Sequence, residues 1–464
     1  MGQGTYVWAP SEGEPDVRAV YARCRRPANG HVVACERSYI HLNADRIVAW
    51  EYPVGAGGVL CVGAFVALGA PDRLLERHLR AVLANALLGE GIPSALRTGQ
   101  ARHWPPPPPP PGSPRQVLVV PDAPPLDGAF PDFDSPLHTT THPDSDEPFT
   151  LAGRRLLVVG GERSGVREIW AHPWRILQDL HLEVGGETAL VRDVEVMPGA
   201  VRRHLLGRQR VLSETVTTAL DLAVALIEYR QERTGRARNV RAAPAITLRW
   251  AVDLRRMWPY PPADRRDVTY AVSPDARSLA VARPGYGGAV TVHASRPVEW
   301  RVHPDRRTAA LRCELSAVLD EPLRLAVAGD ASPDGAAAAV GRRGVTALTG
   351  QRRRHEQRLR DLLVRVVSPD DQFDRAFEWA KVRLDGFFIE TPELGRSLAA
   401  GYAASRAGWG DGRPGYAWFF GRDACWTAFA LLAAGDFSGA RLVLRFLGRT
   451  QDVRGKVIHE LTTS

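Results

Sequence analysis

The sequence predicts a multidomain β plus α chain: an antiparallel β-super-sandwich, a linking helix and the beginning of an α/α barrel. At 464 residues, the chain is too long for one ordinary core. Short alternating segments rich in β-branched residues, separated by turns, fill residues 149–348 and are typical of antiparallel strands. From residue 349 onward the apolar residues take helical spacing, which predicts a separate helical region.

The N-terminal part divides at a run of prolines. Residues 1–103 form a segment of undetermined fold, in which 70–88 has the apolar spacing of one amphipathic helix. Residues 104–148 are predicted to be a linker, because Trp104 is followed by seven consecutive prolines that favour a stiff polyproline II spacer. Such a run also occurs in ligands of SH3 and WW domains, although an inert spacer is its commoner meaning.

The charge and cysteine content argue against several classes of protein. Lys and Arg number 60 against 52 Asp and Glu, for a net charge of +8, but the arginines are scattered and do not alternate with aromatic residues. We therefore expect no nucleic-acid partner. The five cysteines show neither metal-ligand spacing nor a disulfide framework, and no phosphate-binding glycine loop occurs, so neither a metal nor an organic cofactor is expected.

One apolar stretch is relevant to the cellular compartment of the protein. Val54–Ala70 is uncharged over 17 residues, slightly short for a membrane span, and five of these residues are glycine. We predict a local strand or helix here and no membrane partner. The composition favours the cytoplasm, with secretion or a periplasmic location as the alternative if this stretch acts as an internal signal.

Two helices are predicted between residues 349 and 390. Residues 349–367 form the linking helix, and residues 368–464 the helical domain. In the first helix of that domain Ser368 is the expected N-cap and Pro369 the first helical residue. Its predicted core-facing stripe consists of Phe373, Ala376, Phe377, Ala380 and Leu384.

A helical hairpin follows a glycine-rich loop. Residues 424–434 are apolar nearly all round, which predicts a helix buried on most sides, and Gly435 ends it. Residues 438–449 have the pattern of an amphipathic helix, with arginines on the face that is predicted to be exposed to solvent. An inner and an outer helix joined by a tight turn are the unit that, when repeated, closes into an α/α barrel.

The pair Arg422–Asp423 directly precedes the buried helix. For a lone Asp at this position the usual role is an N-cap, with Arg422 as a surface charge. The preceding loop, however, is dense in rings that suit a sugar site, because pyranose faces stack on aromatic rings and hydroxyl groups pair with carboxylate and guanidinium groups. These aromatic residues are Tyr416, Trp418, Phe419 and Phe420.

The segment from "WFFGRD" to "GKVIHE" resembles the six-hairpin glycosidases, in particular the bacterial amylo-α-1,6-glucosidase group related to the C-terminal domain of glycogen debranching enzyme. "REIWAHPWRIL" at 167–177 and "DLRRMWPYP" at 253–261 look like the N-terminal sandwich of that group. The resemblance covers roughly residues 151–464. It departs from the family pattern at Val457 and Ile458, where the family has Ile and Pro.

The resemblance implies the fold, a truncated (α/α)6 barrel, and roles for individual residues. Arg422 and Asp423 would bind the terminal glucose of an α-glucan or oligosaccharide, and Trp418 and Phe420 would be pocket walls. His459 and Glu460 fall on the next pocket-side loop, where substrate contact and loop anchoring are equally good interpretations.

The reaction needs two carboxyl groups, which in an inverting enzyme stand about 6.5–9.5 Å apart. The resemblance places both beyond Ser464, so no catalytic residue is assigned. The chain is expected to be an N-terminal fragment of a glycoside hydrolase that is inactive alone. It should then show an exposed apolar patch at Trp426, Phe429, Leu432 and Phe446.

Two alternatives stay open at this point. A disaccharide phosphorylase has the same architecture, with its phosphate-binding residues in the missing part. A non-catalytic carbohydrate-binding protein would use the sandwich and the Arg-Asp loop to bind glycan without cleaving it.

Overall fold

The computed structural model describes most of the chain from residue 138 onward and little before it. The described ranges are 6–8, 31–38, 41–54, 57–62, 138–207, 210–232, 243–257, 268–283, 288–305, 310–330, 344–391, 394–402, 415–450 and 459–461, with several single positions between them. The helix predicted at 70–88 and most of the predicted linker lie outside these residues.

The N-terminal strands form a small sheet of their own. It contains β1 (Tyr6–Trp8), β2 (His31–Ser38), β3 (His41–Val54) and β4 (Gly57–Val62), hydrogen-bonded in that order. β1 runs parallel to β2, and the other pairs are antiparallel. Strand β4 therefore occupies part of the apolar stretch 54–70. No helix in the described part of the chain is both long and apolar enough to cross a membrane.

Two nine-stranded antiparallel sheets make up the larger β-region. The strands of the first sheet are β6 (Pro148–Ala152), β7 (Leu156–Gly161), β8 (Gly165–Ala171), β9 (Trp174–Val184), β10 (Glu187–Thr188), β15 (Ala245–Val252), β16 (Arg255–Arg256), β20 (Glu299–Pro304) and β21 (Leu311–Val318). The strands of the second sheet are β5 (His138–Thr141), β11 (Leu190–Val196), β12 (Ala200–Gly207), β13 (Arg210–Thr218), β14 (Val224–Gln231), β17 (Thr269–Val272), β18 (Ser278–Ala282), β19 (Ala289–Ala294) and β22 (Leu323–Asp330).

The strand order shows many long-range pairings. The first sheet runs β20-β21-β15-β9-β8-β7-β6, with β10 and β16 pairing the ends of β9. The second runs β17-β18-β19-β22-β14-β13-β12-β11-β5. β5 and the first residue of β6 fall inside 104–148, the range predicted as linker, so the sheets begin earlier in the chain than the sandwich boundary predicted at 149.

One core joins the inner faces of the two sheets, as the sandwich prediction requires. In β15 alternate residues point inward: Ile246, Leu248, Trp250 and Val252 are buried, while the residues between them are more exposed. The alternation follows from the period of two in a strand. The predicted arrangement of antiparallel β-sheets followed by helices is confirmed.

Strand β7 is buried on both faces, and its outer face is important for the site. Leu156 and Val158 face the sandwich core, whereas Leu157 and Val159 belong to a second apolar cluster on the outside of the first sheet. A strand that is covered on both faces has a continuous run of apolar residues, as residues 156–159 ("LLVV") do in β7.

Four helices occur among the described residues, all after the sandwich. They are α1 (Gly344–Leu362), α2 (Asp371–Gly386), α3 (Gly421–Ala433) and α4 (Phe437–Arg449). Between α2 and α3 the chain forms a small sheet in place of the predicted glycine-rich loop, with β23 (Phe388–Thr391), β24 (Gly395–Gly401) and β25 (Tyr416–Phe420), followed after α4 by β26 (Glu460–Leu461).

The α3–α4 hairpin is present as predicted, and its turn depends on one glycine. Gly435 has φ of 86°, a left-handed conformation that residues with a Cβ rarely adopt. Closure of further hairpins into a barrel stays a prediction.

The N-cap of α2 differs from the prediction. Asp370, not Ser368, is the cap, and its side chain accepts hydrogen bonds from the N–H groups of Gln372 and Phe373. The Ser368 hydroxyl accepts the N–H of Asp370 instead. Pro369 thus precedes the cap, because a carboxylate at 370 can reach two first-turn donors, whereas Ser368 lies two residues before the cap.

Of the predicted apolar stripe of α2, only Leu384 packs against a core, an apolar cluster that includes residues of β23, β24, α3 and α4. Phe373, Ala376 and Ala380 are exposed, and the buried residues of the helix are Lys381 and Val382 near its end. The helix packs only through its last turns, where the Lys381 ammonium donates to the Val364 carbonyl. Helical spacing identified the helix correctly, but the fold covers the predicted face only near the C-terminal end of the helix.

Three of the four residues of the predicted apolar patch are exposed, and all three lie on α3. The side chains of Trp426 and Phe429 are 69% and 63% exposed, and Leu432 is also exposed. Phe446 is buried, contrary to the prediction, because it lies on the inner face of α4 with its ring centroid 4.6 Å from that of Phe419. We call the surface formed by Trp426, Phe429 and Leu432 the α3 apolar face.

Candidate functional site

Strand β25 leads directly into α3 and carries three aromatic rings on one face. Tyr416, Trp418 and Phe420 alternate along the strand, so their side chains point the same way. The ring centroid of Phe420 lies 5.5 Å from that of Tyr416 and 5.6 Å from that of Trp418. The strand therefore presents a continuous aromatic row at the start of the helix.

Two of these rings are covered by the sandwich. Trp418 and Phe420 are buried in a cluster with Leu157, Val159 and Trp170 from the outer face of the first sheet. Their ring faces are occupied by protein, so they form a floor under the site and are not open pocket walls. The predicted wall role would require exposed rings, and the packing on β7 and β8 explains why they are not exposed.

Strand β26 closes the floor from the other side. Phe420 pairs with Glu460 in the sheet, and the buried Glu460 carboxylate accepts a hydrogen bond of 2.8 Å from the Trp418 indole N–H. The carbonyl of His459 accepts the Gly421 N–H at 3.1 Å, while the exposed His459 ring stands edge-on to Phe420. For Glu460, this geometry matches the loop-anchoring interpretation, and His459 stays at the surface.

Arg422 and Asp423 lie in the first turn of α3 without capping it. The N-cap position is Phe420, which has no side-chain cap bond, and Asp423 is the third residue of the helix. The Arg422 Nη2 atom lies 3.3 Å from Asp423 Oδ2, with the two side chains 74% and 32% exposed. The N-cap role considered from the sequence is therefore wrong.

An exposed ion pair of this kind adds little stability. Pairs between solvent-exposed side chains typically contribute about 0–1 kcal/mol. The positive end of the helix dipole favours a carboxylate in the first turn, which accounts for Asp423 being acidic but not for its arginine neighbour. A contribution to helix stability thus explains why residue 423 is acidic, but it does not explain why residue 422 is an arginine.

Four side chains lie next to the aromatic floor, and we call them the rim: Tyr416, Arg422 and His459, which are exposed, and Asp423, which is half-buried. The rim combines a carboxylate acceptor, a guanidinium donor, an imidazole and a partly exposed phenol ring. The sequence analysis counted Tyr416 among the aromatic residues of this loop but gave it no pocket role, although its alternation with Trp418 and Phe420 was the available signal.

A buried charge network supports the floor from within the sandwich. The Trp170 indole N–H donates to Glu168 at 2.9 Å, and Arg175 bonds both Glu168 and Asp253. Burial alone would lower the pKa of Arg175, but the two carboxylates raise it above its usual value. Burial likewise opposes ionisation of Asp253, but Arg175 holds the pKa of that carboxyl below its usual value. The network fixes Trp170 beneath Trp418 by ionic hydrogen bonds.

Within the ranges that the structure describes, no three His, Cys, Asp or Glu side chains are grouped so that they could hold a metal ion. Cys313 and Cys425 are free thiols. Burial raises the pKa of the Cys313 thiol to about 12, so that side chain is inert at neutral pH.

Comparison with known proteins gives matches only among solved structures, because no family model and no curated protein matches the sequence. A bacterial glucoamylase complexed with acarbose aligns with 75% of this chain and 55% of its own, at 10% identity and a TM-score of 0.43. This chain thus spans about half the length of that glucoamylase.

Two further solved structures align over shorter parts. A candidate kojibiose phosphorylase from the human microbiome covers 64% of this chain and 40% of its own, at 10% identity and a TM-score of 0.38. An α-mannosidase of family GH92 from Bacteroides thetaiotaomicron covers 58% and 42%, at 11% identity and a TM-score of 0.33. Likeness at this level assigns no activity to this chain, and its resemblance to the six-hairpin glycosidases stays a prediction.

Proposed function

We propose that the rim binds the terminal glucose of an α-glucan or malto-oligosaccharide, as the substrate-binding part of a glycoside hydrolase of the amylo-α-1,6-glucosidase type. The observation that carries this proposal is the Arg422–Asp423 pair, which is exposed, caps no helix and stands at the end of an aromatic strand.

The chemistry of the pair suits a sugar ring. A carboxylate accepts hydrogen bonds from two neighbouring hydroxyl groups, and a guanidinium donates two parallel bonds to hydroxyl oxygens. Among the described residues the two side chains share one contact of 3.3 Å, which leaves further donors on the exposed Arg422 and a second oxygen on the half-buried Asp423 for a ligand. The exposed ring of Tyr416 supplies an apolar face for stacking.

The buried residues below the rim would serve to position it. Glu460 fixes Trp418, and the Gly421 N–H bond to the His459 carbonyl fixes the first residue of α3. A site held by packed strands and a helix terminus keeps its geometry before the ligand arrives, which lowers the entropy lost on binding.

In the proposed reaction the rim orients the glucose and takes no part in proton transfer. One carboxylic acid would protonate the glycosidic oxygen, and a second carboxylate would activate water from the opposite face of the sugar. These two groups are not assigned to any residue of this chain.

Calorimetric titration with maltotriose tests the proposal. The wild-type chain should bind, and Arg422→Gln or Asp423→Asn should weaken binding by about tenfold or more, because each loses a charge-assisted hydrogen bond worth about 1.5–3 kcal/mol. Arg445→Gln is the matched control, since Arg445 is also exposed but lies on α4. The proposal is wrong if the wild-type chain does not bind, or if all three variants bind as tightly as wild type.

Product analysis then separates the alternatives. Glucose released from an α-1,6-linked glucan by water indicates the hydrolase, and sugar phosphate formed only with inorganic phosphate indicates the phosphorylase. Tight binding with no turnover of either kind does not separate the hydrolase from a carbohydrate-binding protein, because neither catalytic carboxyl group is assigned to this chain.

A further inference from the structure

A cavity of about 560 Å³ lies where the sandwich meets the helices. It is bounded by the turn between β6 and β7, by α1, by the end of α2, by β24 and by the turn between α3 and α4. Its charged and titratable lining residues are Arg154, His355, Arg358, Asp385, Arg396 and Asp436. Sequence reasoning assigned no function to any of them.

Arg154 is the most buried of the lining charges, with only 3% of the residue exposed. Its two terminal nitrogens donate to the side chain and to the carbonyl of Asp385, both at 2.6 Å. Its Nε atom is buried and has no hydrogen-bond partner in the described part of the chain. A buried N–H without an acceptor costs about 1–3 kcal/mol, so a ligand that accepts this bond would be stabilised.

Arg396 repeats the pattern beside it. Its Nε atom is also buried and lacks a partner among the described residues. The guanidinium groups of Arg154 and Arg396 each lie 5.6 Å from the centre of the Phe388 ring, so two cations share one aromatic side chain. Burial and the neighbouring Arg154 charge lower the pKa of Arg396, as expected where positive charge is in excess.

The two lining carboxylates are already engaged. Asp385 is bonded to Arg154, and its Oδ2 atom lies 2.9 Å from His355 Nε2. Asp436 caps α4 by accepting the Gly439 N–H. With Arg154, Arg358 and Arg396 facing them, the lining has one positive charge in excess when His355 is neutral.

The cavity also receives the N-terminus of a 13-residue helix. Phe437 and Ser438 begin α4 and line the cavity, and the Asp436 side chain caps the N–H of neither. First-turn N–H groups and the positive end of the helix dipole together favour an anion.

We propose that this cavity binds a phosphate group. Phosphate offers several strong acceptor oxygens to Arg358, Arg396 and the first turn of α4 at once, which a single carboxylate cannot do. The volume falls within the range of small-molecule sites, so a phosphate bearing one sugar ring also fits.

This site lies away from the rim. Arg422 is in the first turn of α3, whereas Gly435 and Asp436 follow its last turn, and a helix of 13 residues is about 20 Å long. Binding of phosphate is therefore proposed independently of sugar binding at the rim.

The test measures binding of inorganic phosphate to the full chain at constant ionic strength, with chloride as the reference anion. Phosphate should raise the Tm by about 2–4 °C when it is well above its Kd. Calorimetric titration should show at least about tenfold weaker binding for Arg396→Gln and Arg358→Gln. Arg445→Gln, which removes a charge outside the cavity, should bind phosphate like wild type.

Arg358 is exposed on α1, so its variant keeps the test valid even if Arg396→Gln does not fold. Equal Tm values in phosphate and chloride would overturn the proposal, and so would unchanged phosphate affinity in both cavity variants. A second titration with a hexose monophosphate identifies the source of the group: binding tighter than inorganic phosphate supports a sugar phosphate, and equal binding supports the free anion.

Discussion

At the residue scale, the contact between Arg154 and Asp385 joins the sandwich to the helices. Arg154 lies between β6 and β7, and Asp385 lies near the end of α2, with His355 of α1 as the third member. Burial raises the free energy of the Asp385 carboxylate, but His355 and Arg154 offset this and hold its pKa well below the usual value. Three elements thus depend on one carboxylate.

Asp385→Asn should destabilise the chain by about 3–5 kcal/mol at neutral pH, because the variant leaves a buried guanidinium without its counter-charge. Chemical unfolding at pH 7 measures this difference. Asp361→Asn is the control, since Asp361 is exposed on α1 and bonds only to Gln357 in the described structure. A loss no larger than that of the control would contradict the assigned role of Asp385.

The pH dependence of the same group has a defined sign. Its folded-state pKa is lowered, so the unfolded chain takes up the proton first, and the stability from Asp385 is complete above about pH 4. This stability is lost as the pH falls toward the lowered folded-state pKa. The difference in unfolding free energy between wild type and Asp385→Asn should therefore narrow on acidification below about pH 4. A difference that stays constant from pH 7 to pH 3 would contradict this expectation.

At the element scale, the start of α2 rests on Asp370. Asp370→Ala should lower the free energy of unfolding by about 0.5–2 kcal/mol, because the N–H groups of Gln372 and Phe373 lose their acceptor. Asp370→Ser keeps an acceptor at the cap and should lose much less. Urea unfolding of the two variants measures the difference, and equal losses would place the cap elsewhere.

Strands and helices were predictable where the apolar residues repeat with a clear strand or helix period. The turn-bounded strands of the sandwich and the α3–α4 hairpin follow from alternation and helical spacing, since each pattern agrees with local propensity. Strand β25 was missed because Gly-rich sequence surrounds it and its pairing partners, β24 and β26, are distant in the chain. Local pattern cannot supply a partner that lies 40 residues away in the sequence (Phe420 with Glu460).

The candidate site was predictable in composition but not in exposure. The types and order of Trp418, Arg422 and Asp423 indicated an aromatic and charged loop at a helix start. The outer face of β7 covers the Trp418 ring but not the Tyr416 ring. Trp418 therefore belongs to the floor of the site and Tyr416 to its rim. Burial against a distant strand is a property of the tertiary fold and is not present in the local sequence.

At the scale of the whole molecule, the α3 apolar face is the most prominent exposed aromatic surface described. Trp426 and Phe429 stand with their ring centroids 5.9 Å apart on the surface of the helix. Contiguous apolar surface of this kind is uncommon on monomeric proteins and binds apolar dyes.

Replacing Trp426 and Phe429 together by serine should reduce the fluorescence of bound anilinonaphthalene sulfonate at least twofold, since the dye loses its apolar contact surface. The Tm should change little, because few native contacts are lost from exposed side chains. Leu444→Ser, an exposed leucine of α4, is the control. Undiminished dye fluorescence in the double variant would place the binding surface elsewhere.

The order of strands in the second sheet has a consequence for how the protein is made. β14 lies between β13, its neighbour in the chain, and β22, where Val224 pairs with Ala328. A ribosome adding about 5–20 residues per second delivers Ala328 about 5–20 seconds after Val224. During that interval one edge of β14 has no partner strand and the core beside it is incomplete. The second sheet can therefore be completed only after β22 has been synthesised.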